Sequence, residues 1–300
     1  MYSLEADIHK NDGSILFADE IQLKTTNGKT TTVVAPGFSF VTGFKQINSS
    51  HILVVDSSIH CVKMVNREDN SNTVFAGLCN AKGFVDGATA KFYFPYSIET
   101  DERNPGHLLI TDLSNHALRS VDVTSGTVST VIRTGFNFPR GLTWYSGRLL
   151  VCNRHFISEI SWSSTGSATN NRLTTFTVDR KFRDGDFSVA QFSYPQEIKQ
   201  IGVDLVLVAD NDNNKLRLLN MSTRKVLPVC VGFSSSCTNG TRLSLNPLSL
   251  LIGDEQIYVG GFREIRKLTG KCANTFILET FGNLILLLNE QICAFIYNCI

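Results

Sequence analysis

The 300-residue sequence lacks a membrane-spanning segment and a recognisable secretion signal. Its best apolar run, Leu284–Leu288, has five residues, whereas a transmembrane helix needs about 20. The N-terminal MYSLEADIHK contains two acidic residues and no apolar core of the kind that a signal peptide requires. The formal net charge is only +1, so the composition also argues against a strongly basic surface for nucleic acids.

The sequence also lacks the patterns of helical proteins and of common active sites. No segment sustains an apolar period of about 3.6 residues, which excludes a fold that alternates strands and helices. No nucleophile–base pair, phosphate-binding loop or carboxylate dyad occurs at a recognisable spacing. These absences favour a β-rich binding protein over an enzyme, and we expect no cofactor.

The eight cysteines form no CxxC pair, which argues against a zinc ribbon or a thioredoxin-type site. Cys61 and Cys79 flank one predicted hairpin. Cys230 and Cys237 flank one predicted loop, so each pair could close a local disulfide, the alternative being buried thiols. Sequons of the N-x-[ST] type begin at Asn48, Asn220 and Asn239. These features favour an extracellular location, although the sequence starts without a signal peptide.

One pattern recurs six times along the chain: a short apolar strand that ends in a small residue. The clearest copies are LLITD (108–112) and LVLVAD (205–210). The other copies are ILFAD (15–19), ILVVD (52–56), LLVCN (149–153) and IYVGG (257–261). The ends of these strands are on average about 48 residues apart, which is the length of one four-stranded propeller blade.

The polar residue at the strand end is predicted to be structural. In the first five copies it is Asp19, Asp56, Asp112, Asn153 and Asp210. A carboxylate or amide there can accept hydrogen bonds from backbone N–H groups of the turn that follows. Recurrence before five different loops is typical of a folding device rather than of a catalytic group.

The flanking residues complete a four-stranded unit. Each apolar strand follows a short strand that often opens with proline, and two more β-rich segments come after it. Residues 83–95 and 182–195 are insertions in the third and fifth units. The sequence therefore predicts an all-β fold, a six-bladed β-propeller over residues 1–277. The predicted blades are 1–37, 38–80, 81–133, 134–178, 179–232 and 233–277, followed by an irregular tail at 278–300.

The segment FPYSIETDERNPGHLLITDLSNHALR (94–119) combines an aromatic–proline pair, an apolar strand that ends in Asp, and an Asn-His turn. It resembles the NHL repeat, and GFVDGATAKF (83–92) resembles an insertion common in NHL-containing proteins. The resemblance implies a six-bladed NHL propeller. Because the pattern begins inside blade 1, the sequence is expected to be a fragment or a truncated gene model. No RING, B-box or coiled-coil segment is present, so a ubiquitin-ligase role is not supported.

Loops on a rigid scaffold are the usual place for recognition, so we expect a non-catalytic binding or scaffold module with a protein partner. In a propeller, the loops between second and third strands share one face with the loops that lead into each first strand. We call this the loop face. Its predicted binding residues include types that are enriched in interface hot spots. They are Arg140, Arg154, His155, Phe156, Phe262 and Arg263.

Two other functions remain open. Proteins on similar scaffolds include a peptidyl-amidoglycolate lyase and calcium-dependent lactonases, which hold a metal in the central tunnel. His60, His116 and His155 lie in loops of consecutive blades and could bind zinc, although His is also usual in this repeat. Single-stranded RNA binding would use basic residues interleaved with aromatic ones. Those residues are Arg133, Arg140, Arg154, Arg180, Lys181 and Arg183, with Phe136, Phe138, Phe156 and Phe182.

Overall fold

The computed structural model describes residues 4–6, 13–175, 182–231, 247–252, 257–261, 265–270 and 275–281. Its strands form six small sheets around a central axis, which confirms the predicted all-β, six-bladed propeller. Each sheet is one blade, and the strand that leads into the buried second strand lies nearest the axis. No helix in the described part of the chain is long and apolar enough to cross a membrane.

The first four blades contain four strands each. Blade 1 consists of β1 (Leu4–Ala6), β2 (Ile15–Asp19), β3 (Gln22–Thr26) and β4 (Thr31–Ala35). Blade 2 consists of β5 (Val41–Gln46), β6 (His51–Asp56), β7 (Cys61–Asn66) and β8 (Asn72–Ala76). Blade 3 consists of β9 (Pro95–Thr100), β10 (His107–Asp112), β11 (Ala117–Asp122) and β12 (Val128–Ile132). Short 3-10 helices follow β6 and β10, at Ser57–Ile59 and Leu113–Asn115.

The last two blades each carry an additional short strand at the outer edge. Blade 4 consists of β13 (Leu142–Tyr145), β14 (Arg148–Cys152), β15 (Ile157–Trp162) and β16 (Ala168–Arg172). Blade 5 consists of β17 (Gly185–Asp186), β18 (Pro195–Gln200), β19 (Leu205–Asp210), β20 (Lys215–Asn220) and β21 (Lys225–Pro228). Blade 6 consists of β22 (Cys230–Val231), β23 (Ser249–Ile252), β24 (Ile257–Gly260), β25 (Ile265–Gly270) and β26 (Thr275–Phe281).

The second strand of each blade is apolar along its length because neighbouring blades cover both of its faces. In β10, Leu108 and Ile110 pack in a buried cluster with Val55 of blade 2. Leu109, between them, points to the other face and packs in a cluster with Leu142 of blade 4. Successive side chains of a strand point to opposite faces, so a strand between two blades needs apolar residues at every position.

Blade 6 packs against blade 1 and completes the ring. Ile15 and Phe17 of β2 form a buried cluster with Tyr258 of β24 and Ile265 of β25. The outer strand β26 pairs with β25 and continues to Phe281. The predicted end of the propeller at residue 277 is therefore too early, and residues 282–300 lie outside the described part of the chain.

The recurrent Asp is buried and holds the loop that precedes the inner strand of its own blade. The carboxylate of Asp112 accepts a hydrogen bond from the Tyr93 backbone N–H at 2.9 Å. That of Asp210 accepts one from the Ser193 N–H at 2.8 Å, and Asp56 accepts similar bonds in blade 2. The expected cap on the following turn is wrong, because neither Asp56 nor Asp112 makes a side-chain cap hydrogen bond to the 3-10 helix after it.

A buried arginine seven residues after the Asp completes this arrangement in blades 3 and 5. Arg119 Nη1 donates to Asp112 at 2.8 Å, and Nη2 donates to Asp86 of the insertion at 2.6 Å. The same guanidinium also donates to the backbone carbonyls of Val85 and Lys91. The corresponding residues of blade 5 are Arg217, Asp210 and Asp184. Each insertion therefore folds around the arginine of its blade.

Blades 1 and 4 depart from this arrangement. In blade 4, Asn153 replaces the Asp and still accepts a hydrogen bond from the Asn137 N–H at 2.9 Å. Ile160 stands where blades 3 and 5 have the arginine. Because the side-chain amide of Asn153 is uncharged, it does not need a buried arginine as its partner. In blade 1, Asp19 instead forms an ion pair with Lys24 across the β2–β3 hairpin. The change at Asn153 is therefore matched by a change at its structural partner.

The predicted disulfide between Cys61 and Cys79 is present and links the start of β7 to the loop after β8. Among the cysteines that the structure describes, Cys152 is free and buried. Cys237 lies outside the described residues, and so does its predicted pairing with Cys230. The disulfide closes a local loop within blade 2.

We expect Asp112→Ala and Asp210→Ala each to lower the free energy of unfolding by about 3 kcal/mol or more, because a buried guanidinium loses a carboxylate partner. Asn153→Ala is the matched control, since it removes the same loop contact without a charged partner, and it should cost about 1–2 kcal/mol. Urea unfolding measures all three. Equal costs in the three variants would contradict a role for the buried ion pair.

Replacing both Cys61 and Cys79 with Ala should lower the free energy of unfolding by about 3 kcal/mol, because the bridge spans 18 residues of the unfolded chain. Cys152→Ala, which removes a buried thiol without a bridge, should cost only about 1 kcal/mol. Denaturant unfolding gives the energies, and the intact mass without reductant reports the bridge. A double variant as stable as the wild type would show that the disulfide does not constrain the unfolded chain.

Candidate functional site

The loops of blades 4 and 5 meet on the loop face around Tyr194. Arg140 lies in the loop that leads into β13, and Arg154 and His155 lie in the loop that joins β14 to β15. The Tyr194 backbone N–H donates a hydrogen bond to the Arg154 carbonyl at 2.8 Å, which fixes the start of blade 5 on blade 4. This contact brings Arg154, which is 40 residues away in the sequence, to the aromatic ring of Tyr194.

Two arginines contact the ring of Tyr194. We call Tyr96, Arg140, Arg154 and Tyr194 the tunnel-mouth cluster. The guanidinium carbons of Arg140 and Arg154 lie 5.0 and 5.2 Å from the ring centroid of Tyr194. Arg154 Nε also donates to the Tyr194 phenol oxygen at 2.6 Å, and His155 meets the ring edge-on at 5.1 Å. Cation–ring contacts of this kind stabilise the folded protein by about 0.5–1 kcal/mol or more.

Arg140 is half-buried beside the second tyrosine of the cluster. Its Nη1 donates to the Phe138 carbonyl at 3.1 Å, and its guanidinium lies 5.8 Å from the ring centroid of Tyr96. Burial lowers the pKa of Arg140 from its usual value, although nearby tyrosines oppose this shift. Within the described residues, neither Arg140 nor Arg154 forms an ion pair, and Asp212 acts on Arg140 only at longer range.

A glycine immediately before β13, Gly141, lets the inner strands of blades 4 and 5 approach each other closely. The Gly141 N–H donates to the Gln196 carbonyl at 3.0 Å, and a Cβ at Gly141 would lie only 2.6 Å from that oxygen. No larger residue could keep the inner strands of blades 4 and 5 this close. The adjacent Arg140 is thereby placed against Tyr96 and Tyr194.

Phe156 does not belong to this surface. Its side chain is only 2% exposed, and the guanidinium of Arg172 lies 4.8 Å from its ring centroid. The prediction that Phe156 offers contact area to a partner is therefore wrong, because the residue packs in the core of blade 4. Phe262 and Arg263 lie outside the described residues. Of the six predicted residues, the structure brings together Arg140, Arg154 and His155.

The three histidines of the metal hypothesis join neighbouring blades. His116 Nδ1 accepts a hydrogen bond from the Phe138 backbone N–H at 3.1 Å, and the two rings lie edge to face 4.5 Å apart. The corresponding ring pairs are His60 with Phe94 and His155 with Tyr194. Across the part of the chain that the structure describes, no three His, Cys, Asp or Glu side chains group as metal ligands. His60, His116 and His155 therefore do not come together as a zinc site.

The aromatic residues of the RNA hypothesis are largely covered by other side chains. Lys215 and Arg217 lie 4.3 and 4.4 Å from the ring centroid of Phe182. Phe156 is buried, and Phe136 packs against the core between blades 3 and 4. Stacking of single-stranded bases needs an open ring face, so these three residues do not provide a stacking surface.

Polar side chains of the inner strands meet in the central tunnel. The phenol of Tyr96 in β9 donates to Gln196 Oε1 in β18, which links blades 3 and 5 directly. Further along the tunnel, Lys45 Nζ lies 2.7 Å from the Glu99 carboxylate. Lys199 Nζ lies 3.6 Å from the same carboxylate. Charged groups of blades 2, 3 and 5 therefore form one network.

The two tunnel carboxylates differ in their protonation behaviour. Burial opposes the ionisation of Glu99, but Lys199 and Lys45 outweigh it and hold the pKa of Glu99 at about 2. Burial raises the pKa of Glu197, and the ammonium group of Lys199, 3.9 Å away, is the main opposing influence. Glu99 is thus an ionised counter-ion near neutral pH, whereas Glu197 holds a proton more strongly than a carboxyl in water.

Sequence reasoning missed Tyr194, Tyr96 and the tunnel charges. Tyr194 immediately precedes Pro195, and Tyr96 immediately follows Pro95; each proline opens an inner strand. This position next to the proline is the sequence signal for the two tyrosines. Lys45, Glu99 and Lys199 belong to three different blades. Their contact depends on the closure of the ring, so no spacing within one repeat reveals it.

Comparisons with known proteins identify the fold. No protein-family model and no curated protein matches the chain. Among solved structures, it is similar to an auxiliary nutrient binding protein from Bacteroides ovatus, with a TM-score of 0.70 and 12% identity over 89% of this chain and 68% of that chain. It is also similar to a chain of a nidogen/laminin complex (TM-score 0.60, 12% identity, 85% of this chain and 88% of that one).

A gluconolactonase from Xanthomonas campestris is similar as well, with a TM-score of 0.61 and 8% identity over 86% of this chain and 82% of that one. Identities this low show a common architecture alone, because propellers carry many unrelated activities. The class that the fold defines is the six-bladed β-propeller.

Glu99→Gln should lower the free energy of unfolding near neutral pH, because two tunnel lysines lose their counter-ion. The pKa of Glu99 is about 2 in the folded protein against an ordinary 4.5. Its depressed pKa therefore contributes about 3 kcal/mol that is fully present above the unfolded pKa and is lost as the pH falls toward the folded one.

Denaturant unfolding of the wild type and of Glu99→Gln between about pH 7 and about pH 3 measures this difference. Glu159→Gln is the matched control, since Glu159 pairs with the exposed Arg148 and should contribute less than about 1 kcal/mol. A difference between wild type and Glu99→Gln that does not shrink with falling pH would contradict the tunnel ion pair.

Proposed function

We propose that this chain is a non-catalytic binding module that recognises a protein partner through the loop face, on a propeller of the NHL type. The observation that best supports the proposal is the tunnel-mouth cluster. There Arg140 and Arg154 share one tyrosine ring and, among the described residues, form no ion pair. Arg and Tyr are among the side chains that are enriched in interface hot spots.

The rigidity of the loops supports recognition by this face. The Asn153 side chain accepts a hydrogen bond from the Asn137 N–H at 2.9 Å. The Arg154 carbonyl accepts one from the Tyr194 N–H at 2.8 Å. Arg154 is held further by the hydrogen bond from its Nε to the Tyr194 phenol. Side chains that are already ordered lose less conformational entropy on binding, which favours affinity.

The NHL assignment is supported by how the repeat residues are used. The Asp and Arg of the pattern, as in Asp112 and Arg119, form a buried ion pair in blades 3 and 5. The insertion before each aromatic–proline pair closes on that arginine through Asp86 and Asp184. The neighbours described as a nutrient binding protein and as part of a nidogen/laminin complex are consistent with a binding role.

A lactonase-type reaction in the central tunnel is the second candidate, and Glu197 is the observation that favours it. A buried carboxyl with a raised pKa suits acid–base chemistry, and the fold is similar to that of a gluconolactonase. The test is lactone hydrolysis by the purified protein, with and without added calcium or zinc. Turnover that Glu197→Gln abolishes while the fold is kept would favour this function over binding.

Arg154→Glu should weaken binding of the partner at least about tenfold, because it reverses the charge at the centre of the proposed interface. The partner is first captured with the wild-type chain, by cross-linking from extracellular fluid and from cell lysate, and its affinity is then measured. Arg148→Glu is the matched control, since Arg148 is exposed on the opposite face of the same blade.

Thermal unfolding verifies that both variants keep the fold. The control should bind within about twofold of the wild type, since exposed pairs contribute little. A captured partner that binds Arg154→Glu as well as the wild type would show that recognition does not use this face.

A further inference from the structure

We propose that Arg140 and Arg154 form an anion-binding site for the carboxylate of an acidic peptide segment, carried by the partner that the loop face recognises. The proposal rests on the proposed function and adds the chemistry of the partner. It concerns the tunnel-mouth cluster alone, in which the guanidinium carbons of Arg140 and Arg154 lie 5.0 and 5.2 Å from the Tyr194 ring centroid.

The first argument is a comparison of Arg140 with two buried arginines, Arg119 and Arg217. Arg119 pairs with Asp112 and Asp86, and Arg217 pairs in the same way with two aspartates of blade 5. Arg140 is withdrawn from solvent enough to lower its pKa, yet within the described residues it forms no ion pair. A charge in such a place is stabilised strongly when a counter-ion arrives.

The second argument is the proximity of like charges. Arg140 and Arg154 lie against the same ring, so their positive charges repel each other, and the ring offsets only part of that repulsion. An anion bound beside both would remove it. Guanidinium groups also match the planar geometry of a carboxylate, which can accept two parallel hydrogen bonds.

The third argument distinguishes an acidic peptide from a nucleic acid. The rings of Phe156 and Phe182, in blades 4 and 5, are buried or covered by cations, so they do not offer faces for bases. A single pair of arginines suits one carboxylate group on a folded or extended peptide.

The test uses the full chain and an end-blocked, fluorescein-labelled pentaglutamate peptide, with the pentaglutamine peptide as its uncharged match. Fluorescence anisotropy at low salt gives the affinities for wild type, Arg140→Gln, Arg154→Gln and Arg154→Lys. Arg148→Gln is the matched control for net charge, since its side chain is 52% exposed and pairs with Glu159. Thermal unfolding accompanies each variant, and Arg154→Gln remains informative if Arg140→Gln does not fold.

We expect pentaglutamate to bind and pentaglutamine not to bind. Arg140→Gln and Arg154→Gln should each weaken binding at least about tenfold. Arg154→Lys should weaken it by an intermediate factor, because lysine keeps the positive charge but lacks the two parallel donors of the guanidinium. Arg148→Gln should change the affinity less than about twofold. Equal weakening by Arg148→Gln, or no peptide binding at low salt, would overturn the proposal.

A labelled oligouridylate of five nucleotides serves as the competing macromolecular class. If it binds more tightly than pentaglutamate and with the same arginine dependence, the site belongs to a nucleic acid and the proposal is wrong. The outcome is separable from that for the proposed function. A captured protein partner that needs Arg154, together with absent pentaglutamate binding, would overturn the carboxylate site and leave the loop face as the interface.

Discussion

The buried contact between the repeat aspartate and the loop before the inner strand is the constraint on which the blades depend. Asp112 reaches back to the Tyr93 N–H and forward to Arg119, and so it joins three separate segments of blade 3. Asp210 does the same in blade 5 with Ser193 and Arg217. A buried carboxylate needs such partners, because burial without them carries a large desolvation cost. The loops of these blades are therefore fixed by the core.

The fold could be predicted because each repeat can be recognised from a short, continuous segment of the sequence. Five apolar strands with a polar end residue, spaced by about one blade length, indicate the propeller before any contact is known. The Cys61–Cys79 bridge was predictable for the same reason, since both residues flank one hairpin. The hydrogen-bond partner of Asp112 could not be predicted. An Asp at a strand end can bind either the turn that follows or a loop that precedes it, and the packing of the blade determines which one it binds.

The candidate site was predictable only in part. Arg140 and Arg154 are conspicuous as loop arginines, but the ring that brings them together, Tyr194, belongs to the next blade. The residue type and loop position of Phe156 predict an exposed contact, but the side chain is buried beneath Arg172. The substitution of Asn153 for Asp has a structural reason in Ile160. The irregular residue of this repeat is therefore explained by packing within blade 4.

Amide hydrogen exchange with and without the pentaglutamate peptide tests most directly the claim that the loop face of blades 4 and 5 is the binding surface. The account predicts slower exchange in residues 137–141, 153–156 and 193–196, which surround Tyr194. The turns at 101–107 and 163–167, on the opposite face, should be unchanged. Protection that appears at those turns, or equally over both faces, would contradict the account.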